Sequence, residues 1–337
     1  MQAPMQAMLD VSVIMPAFNR SGLIVRALES IRNQTRHPRE LIVVDDASTD
    51  DTVDQVQAWS QRSGFPVTIE RMSQNGGPAA ARNRGITRAS TSLIAFLDSD
   101  DEHLPHTLEK LVSALEQHPA AVVSFGDATK VTPTRSLPNA MFQQRINIAE
   151  TLEPTGTDAA TWWLLDAKST LLGASLIPTC SACFRRAEAL AIGGMPTFYR
   201  AGEDWLFWLK LSEHGRFVCI LEDLSVVHRH EGNLTHPGSA ADASRQKVIG
   251  FLALLDGSAG ITLTRDQRAH VDILLRQRKT ALRYQASRLG LRDYFRQMRG
   301  IPGCSNAGFV RDVLLDPKSL LRAMFASWRP LAAPASE

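Results

Sequence analysis

The chain has 337 residues, 44% of them hydrophobic and 21% charged, which is the balance of a globular protein with apolar matter enough for a large core. Disorder and a collagen-like fibre are excluded, and four scattered cysteines, Cys180, Cys183, Cys219 and Cys304, are too few for a disulfide framework, so a reducing, cytoplasmic setting is expected. The net charge of +2 hides an asymmetry: residues 241–337 hold sixteen Lys or Arg against eight Asp or Glu, a net +8, which leaves −6 on residues 1–240.

The opening MQAPMQAMLD has neither a basic nor an apolar signal region, and no run reaches the roughly 18 apolar residues of a spanning helix. We therefore expect no signal peptide and no membrane span. From Val11 to Phe125 short apolar runs alternate with helix-period segments, the spacing of strand and helix pairs in a mainly parallel sheet. The runs are VSVIM, LIVV from Leu41, VTI from Val67, LIAFL from Leu93 and AAVVSF from Ala120, continuous enough to be buried on both faces. Between them Leu23, Ala27, Leu28 and Ile31 give one helix its stripe, Asp50 or Asp51 caps a second, and Gly76-Gly77-Pro78 opens a third. Leu104, Leu108, Leu111, Val112 and Leu115 predict a helix from Pro105 to His118.

Residues 132–161 are rich in Pro, Thr, Asn and Gln and read as a long surface excursion. Order returns with an apolar, strand-like segment from Ala174 to Phe184 and an amphipathic helix from Glu203 to His214. Beyond Arg245 the pattern is helical: to Leu255, Arg265 to Leu289, Arg292 to Met298 and about Val313 to Trp328. The basic excess there suits anionic lipid, an anionic acceptor or nucleic acid, although a solvated helical face explains it as well.

In open parallel sheets ligands bind beyond the carboxyl ends of the strands. The first strand is followed by Pro16-Ala17-Phe18-Asn19-Arg20, the second by Asp45-Asp46-Ala47-Ser48, the fourth by Asp98-Ser99-Asp100-Asp101-Glu102. Ionised carboxylates this close repel unless a cation lies among them, and hard oxygen ligands favour Mg2+ or Mn2+ with substrate phosphates completing the shell. Helix capping is the plainer reading of any one of these acids. Asn75-Gly76-Gly77-Pro78 with Arg82 and Arg84 offers backbone N–H groups and guanidinium donors to a nucleotide or diphosphate.

The runs VSVIMPAFNR, ELIVVDDASTDDT, NGGPAAARNRGI and LIAFLDSDD, and then SACFRRAEALAIGGM, AGEDWLFWLKL and VVHRHEGN, resemble in order and spacing a family 2 glycosyltransferase of the GT-A fold. The resemblance implies a Rossmann-like, doubly wound mixed sheet, mainly parallel and flanked by helices, with a C-terminal helical extension. It implies a nucleotide-sugar-binding half over 11–130 and an acceptor-binding half of the same domain over 131–240, while the sequence itself adds a tail over 1–10, expected to be flexible, and a basic helical region over 241–337. It further implies inverting transfer of a sugar from a nucleotide diphosphate, UDP by preference, to a hydroxyl of a glycan or lipid-linked acceptor, in surface-polysaccharide synthesis. Such an enzyme would be cytoplasmic, with peripheral association at the inner face of the membrane as an option, and with no nucleic-acid partner.

By position, Pro16, Phe18, Asp46, Arg82, Asp98 and Ser99 fall to the nucleotide sugar and Asp100 of the DXD run to the Mn2+ or Mg2+, with Asp45 and Asp101 as further acids. Asp204 is the candidate base that takes the acceptor proton, beside Glu203 and Trp205 in the ED motif. Of His228 and His230, His230 is preferred near the metal for its spacing to Asn233. Cys180 and Cys183 form a C-x-x-C without a second pair, so both read as core residues. Trp162, Trp163, Trp205 and Trp208 are candidates for stacking on an acceptor sugar, with core packing an equal explanation for Trp208. Competing readings are a haloacid dehalogenase-type phosphatase, disfavoured by Glu102 where Thr or Val is needed, a nucleotidyltransferase, disfavoured by PAFNRSG, and a non-catalytic nucleotide-sugar-binding protein.

Overall fold

Seven consecutive residues, VSVIMPA, are all buried and form the central strand β1, Val11–Ala17. Its two faces meet different partners, because successive side chains point to opposite sides. Val11, Val13, Met15 and Ala17 join the main core with helix residues Ala27, Leu28, Val56 and Leu111. On the other side Ile14 lies under Gly85, in the helix that follows the NGGP run. The computed structural model describes residues 9–140, 142, 148–157, 160–198, 202–230, 240–299, 301 and 316–327.

The elements of the first 230 residues run β1, α1 (Ile24–Arg32), β2 (Glu40–Asp45), α2 (Thr52–Ser63), β3 (Thr68–Arg71), α3 (Pro78–Arg88), β4 (Leu93–Phe96), β5 (Glu102–His103) and α4 (Thr107–Gln117). There follow β6 (Ala121–Thr132), β7 (Arg135–Leu137), β8 (Leu152–Pro154), β9 (Thr161–Leu164), α5 (Ala167–Gly173), β10 (Ala182–Arg185), α6 (Arg186–Ala191), α7 (Glu203–Leu211) and β11 (Arg216–His228). They build one sheet in the order β3-β2-β1-β4-β10-β6-β11-β9-β8, with β5 beside β11 and β7 beside β6. β1 pairs in parallel with β2 and β4, β2 with β3, and β6 with β11. This is the mixed, doubly wound layer flanked by helices that the sequence resemblance implied, and C-terminal helices follow it.

Several local expectations are corrected. β3 is only partly buried because it is the sheet edge, and β6 is parallel to β11 but separated from β4 by the antiparallel β10. The excursion over 132–161 contains β7, a 3-10 turn at Ile148–Thr151, and β8; strands of three residues are too short to show a period. Only Ala182–Arg185 of the apolar segment from Ala174 is strand, since Pro178 is followed by a 3-10 turn at Thr179–Ser181 that holds Cys180. The helix expected at Pro105 begins at Thr107, after a turn in which Thr107 N–H bonds the Leu104 carbonyl at 3.1 Å. The ED helix α7 is buried on nearly every side rather than amphipathic, which takes Trp208 into the core.

The chain divides into two compact units, Met1–His230 and Glu231–Glu337. In the second lie α8 (Ala240–Asp256), α9 (Arg265–Ser287), α10 (Leu291–Arg299) and α11 (Pro317–Ser327). Thr264 and Gln267 close a capping box at the start of α9, satisfying two otherwise orphaned donors. Residues 1–8 of the N-terminal tail, Asn233, Cys304, residues 313–315 and Trp328 of the expected last helix lie outside the described residues. No described helix is long and apolar enough to cross a membrane.

A methyl group at Gly85 would collide with Ile14 Cγ2, both of them on rigid elements. Gly85→Ala is therefore expected to destabilise the fold by about 1–3 kcal/mol, read as a lowered midpoint in urea unfolding.

Candidate active site

β1, β2 and β4 run the same way, and hydrogen bonds tie their ends together: Asp46 N–H to Ala17 O at 2.8 Å and Leu97 N–H to Ile14 O at 3.1 Å. The segments that follow all three strands therefore emerge at one sheet edge. Asp45 turns inward, fully buried, pairing with Arg71 Nε at 3.3 Å and accepting from Ser48 N–H. Asp46 ties down the glycine loop: its two oxygens accept Gly76 N–H at 2.7 Å and Gly77 N–H at 2.8 Å. Asp46 is itself buried, at 3% exposure, and each of its oxygens has a second lone pair. Ala47 between Asp46 and Ser48 sits at φ 61°, a left-handed conformation that costs a non-glycine residue about 1–2 kcal/mol. Phe18 stands exposed beside this turn, whereas Pro16 is buried within β1.

The centre of the site is Arg82, on α3 and only 4% exposed. Its Nη2 donates to Asp98 Oδ1 at 2.5 Å and its Nη1 to Glu203 Oε1 at 3.0 Å, while the ring of Phe96 lies 5.6 Å from its guanidinium carbon. One buried fork thus joins the acid after β4 to the ED motif, 121 positions away from Arg82 in the chain. Burial opposes the charge on Arg82, but Asp98 and Glu203 hold it more firmly protonated than an ordinary guanidinium. Burial, and then the adjacent Asp204 carboxylate, push the Glu203 carboxyl up against the pull of Arg82. Asp98 keeps about a third of its side chain exposed, 32%, and so has room for an external donor. Asp204, partly exposed, accepts from Thr179 Oγ1 at 3.3 Å.

A second cluster gathers at the end of β11. His230 Nε2 is 3.0 Å from Asp100 Oδ2, and Arg20 Nε is 3.6 Å from the same oxygen. His228 is engaged elsewhere, with its ring 2.7 Å from Glu102 Oε1 and its N–H donating to Asp101 Oδ1 at 2.9 Å. Burial, reinforced by Asp98 and Asp100, pushes Asp101 well above the ordinary carboxylate range. Ser99 is buried between the acids. Trp205 is also buried and donates from its indole to Leu171 O at 2.6 Å, which removes it, with Trp208, from the candidate stacking surface. Trp162 and Trp163 are part-exposed on β9, and Arg216 covers Trp163 at 4.0 Å. Cys180 and Cys183 are free and buried, and burial raises the Cys183 thiol to about 12, so neither offers a thiolate.

Arg26 and Thr179 were not singled out from sequence. Arg26 donates to the Asp100 carbonyl at 2.7 Å and lies 3.3 Å from Glu102, but nothing in the spacing of α1 marks it. Arg20 stood in the quoted PAFNR run without a role.

Among the described residues no group of three or more His, Cys, Asp or Glu forms a cage for a metal. The donor set present, one carboxylate and one imidazole 3.0 Å apart, fits an ion that takes few protein ligands and fills its other positions with diphosphate oxygens and water. Asp100 and His230 are the residues that would hold it.

A doubly wound sheet with acids and a glycine loop at its carboxyl edge is the architecture of a nucleotide-binding enzyme. Residues 12–171, just under half of the chain, match the family described as glycosyl transferase family 2, and this part of the chain has the GT-A fold. An uncharacterized glycosyltransferase of Haemophilus influenzae is 29% identical over 208 residues, 62% of this chain and 64% of its own length, so the chain spans less than two thirds of that relative. Among solved structures, Staphylococcus aureus TarS 1–349 in complex with UDP-GlcNAc superposes with a TM-score of 0.62 at 21% identity over 94% of this chain and 89% of its own. The mannosyltransferase PcManGT of Pyrobaculum calidifontis, in complex with GDP-Man and Mn2+, gives 0.57 at 18% identity over 97% and 91%.

Arg82→Lys keeps the charge but loses the planar fork. It is expected to lower stability, and Arg82→Met more so, by on the order of 3–5 kcal/mol because two carboxylates lose their common partner; chemical denaturation of both variants measures this. His103, on β5 behind the acids, is fully buried, and burial pushes its imidazole down to about 4. Since the unfolded ring titrates near 6.5, the stability from keeping it neutral is complete above that pH and is lost as pH falls from about 6.5 to 4, by roughly 3 kcal/mol. In a pH series of urea melts, His103→Gln should flatten that acid limb.

Proposed function

We propose that this chain is an inverting glycosyltransferase that moves a sugar from a nucleoside diphosphate, UDP by preference, to a hydroxyl of a glycan or lipid-linked acceptor. The observation that carries the reading is the fork of Arg82, which holds Asp98, the acid with an open donor-facing side, next to the Glu203-Asp204 pair. On this reading donor orientation and proton removal, which must act on the same anomeric carbon, fall to neighbouring positions.

In this reading Phe18 stacks beside the base, the Asp46 lone pairs left free by the glycine loop accept from the base or ribose, and Asp98 accepts from ribose or sugar hydroxyls. Asp204 takes the acceptor proton as its oxygen attacks the anomeric carbon from the face opposite the leaving diphosphate, which inverts the configuration. Thr179 orients the Asp204 carboxylate. Asp100 and His230 would hold Mn2+ or Mg2+, which would supply positive charge to stabilise the departing diphosphate. Arg20 adds a cation near the same oxygen. The uridine preference, the metal and a hexosyl or N-acetylhexosaminyl cargo have support in TarS, solved with UDP-GlcNAc, and the Mn2+ complex of PcManGT. A cytoplasmic site of action and a role in surface-polysaccharide synthesis complete the proposal.

Calorimetric titration of a panel of nucleotide sugars, with and without Mn2+, tests it. We expect one UDP-sugar to bind with clear Mn2+ dependence, and Asp100→Ala to abolish that dependence. Asp204→Asn should keep donor binding while turnover falls by about 10²–10⁴-fold. Unchanged turnover in Asp204→Asn would remove the catalytic assignment and favour a different base.

A further inference from the structure

The second unit carries a surface that sugar transfer itself does not call for. Of the twelve exposed large hydrophobic side chains among the described residues, six fall in one stretch near the C-terminus: Tyr284, Leu289, Phe295, Leu321, Met324 and Phe325. Helix α11 packs against α9 and α10, with Ser319 and Ala323 buried. At 100° per residue Leu321, Met324 and Phe325 lie on the side of α11 away from those two positions, and they are 53%, 47% and 70% exposed. Single exposed apolar residues are ordinary, but three on one helix face beside others on neighbouring helices form a patch of the kind that marks an interaction surface.

The charge around the patch selects the partner. Lys318 and Arg322 border the apolar stripe of α11 along one side, and Arg292, Arg296 and Arg299 stand exposed on α10. The acid within these two helices is Asp293, which is 2.7 Å from Arg296. Arg322 also lies over the Tyr284 ring, 4.7 Å from its centroid, presenting a cation and an aromatic edge together. An apolar helix face bordered by Lys, Arg and aromatic side chains is the pattern of a helix that lies in the plane of a bilayer interface. Anionic headgroups satisfy the cations while the apolar face enters the acyl boundary. A symmetric second copy would instead bring the same cations face to face.

We propose that α11, with the adjoining face of α10, docks this protein on an anionic membrane surface. The inference deepens the proposed function by favouring a lipid-linked acceptor, yet vesicle binding needs neither donor nor turnover, so the two readings fail separately.

The test is co-sedimentation of the full chain with vesicles of phosphatidylcholine alone or mixed with phosphatidylglycerol, at low and high salt. Binding is expected only to the mixed vesicles and should weaken as salt rises. Leu321→Ser with Phe325→Ser should lower partitioning at least about tenfold, and Lys318→Glu with Arg299→Glu should remove the preference for phosphatidylglycerol. All four positions are solvent-facing, and unchanged urea melts verify that the variants fold. Equal binding to both vesicle types, no binding, or partitioning unaffected by the serine variant would overturn the proposal. So would a concentration-dependent dimer in sedimentation that the serine variant abolishes, which would assign the face to a second copy.

Discussion

The site depends on one buried cation. Arg82 is enclosed by Asp98, Glu203 and the face of Phe96, and its charge is tolerable there because carboxylates on two sides replace the water it has lost. The arrangement also works in reverse. Asp98 and Glu203 each stand beside further acids, and without the fixed guanidinium between them both would lose their compensating charge. Asp98 and Glu203 are kept close by a shared partner that cannot be deprotonated.

Much of this was legible in the sequence, for reasons that can be named. β1, β2 and β4 are covered on both faces, and double burial writes itself as uninterrupted apolar runs. The acids after them could be assigned to one edge because parallel strands put their carboxyl ends together. What could not be read was pairing between distant segments. Arg82 was identified as a nucleotide contact, yet nothing in its neighbourhood says that Glu203 will meet it. His228 and His230 differ by two positions at the end of β11, but only the structure separates them, sending one ring to Glu102 and the other to Asp100. The edge strands β7 and β8 escaped notice because three residues cannot establish alternation.

The two units answer different physical demands. The first is acidic on balance, and Arg82, the buried cation among its described residues, is bound to its own carboxylates. The second shows most of its described cations outward, Arg283 being the buried exception, with exposed apolar side chains among them. That division matches a chain whose chemistry concerns a small charged donor at one place and whose surface chemistry is displayed at another.

The placement of β10 bears on how such a chain is made. The family match ends at residue 171, before β10, yet β10 is the strand that fills the space between β4 and β6. During synthesis a nascent chain that has passed residue 132 still has a sheet in two pieces, each with a raw apolar edge open to misfolding partners. Joining the two pieces waits for residue 185 to clear the ribosome, and the other edge of β6 stays open longer still, until β11 has emerged at residue 228.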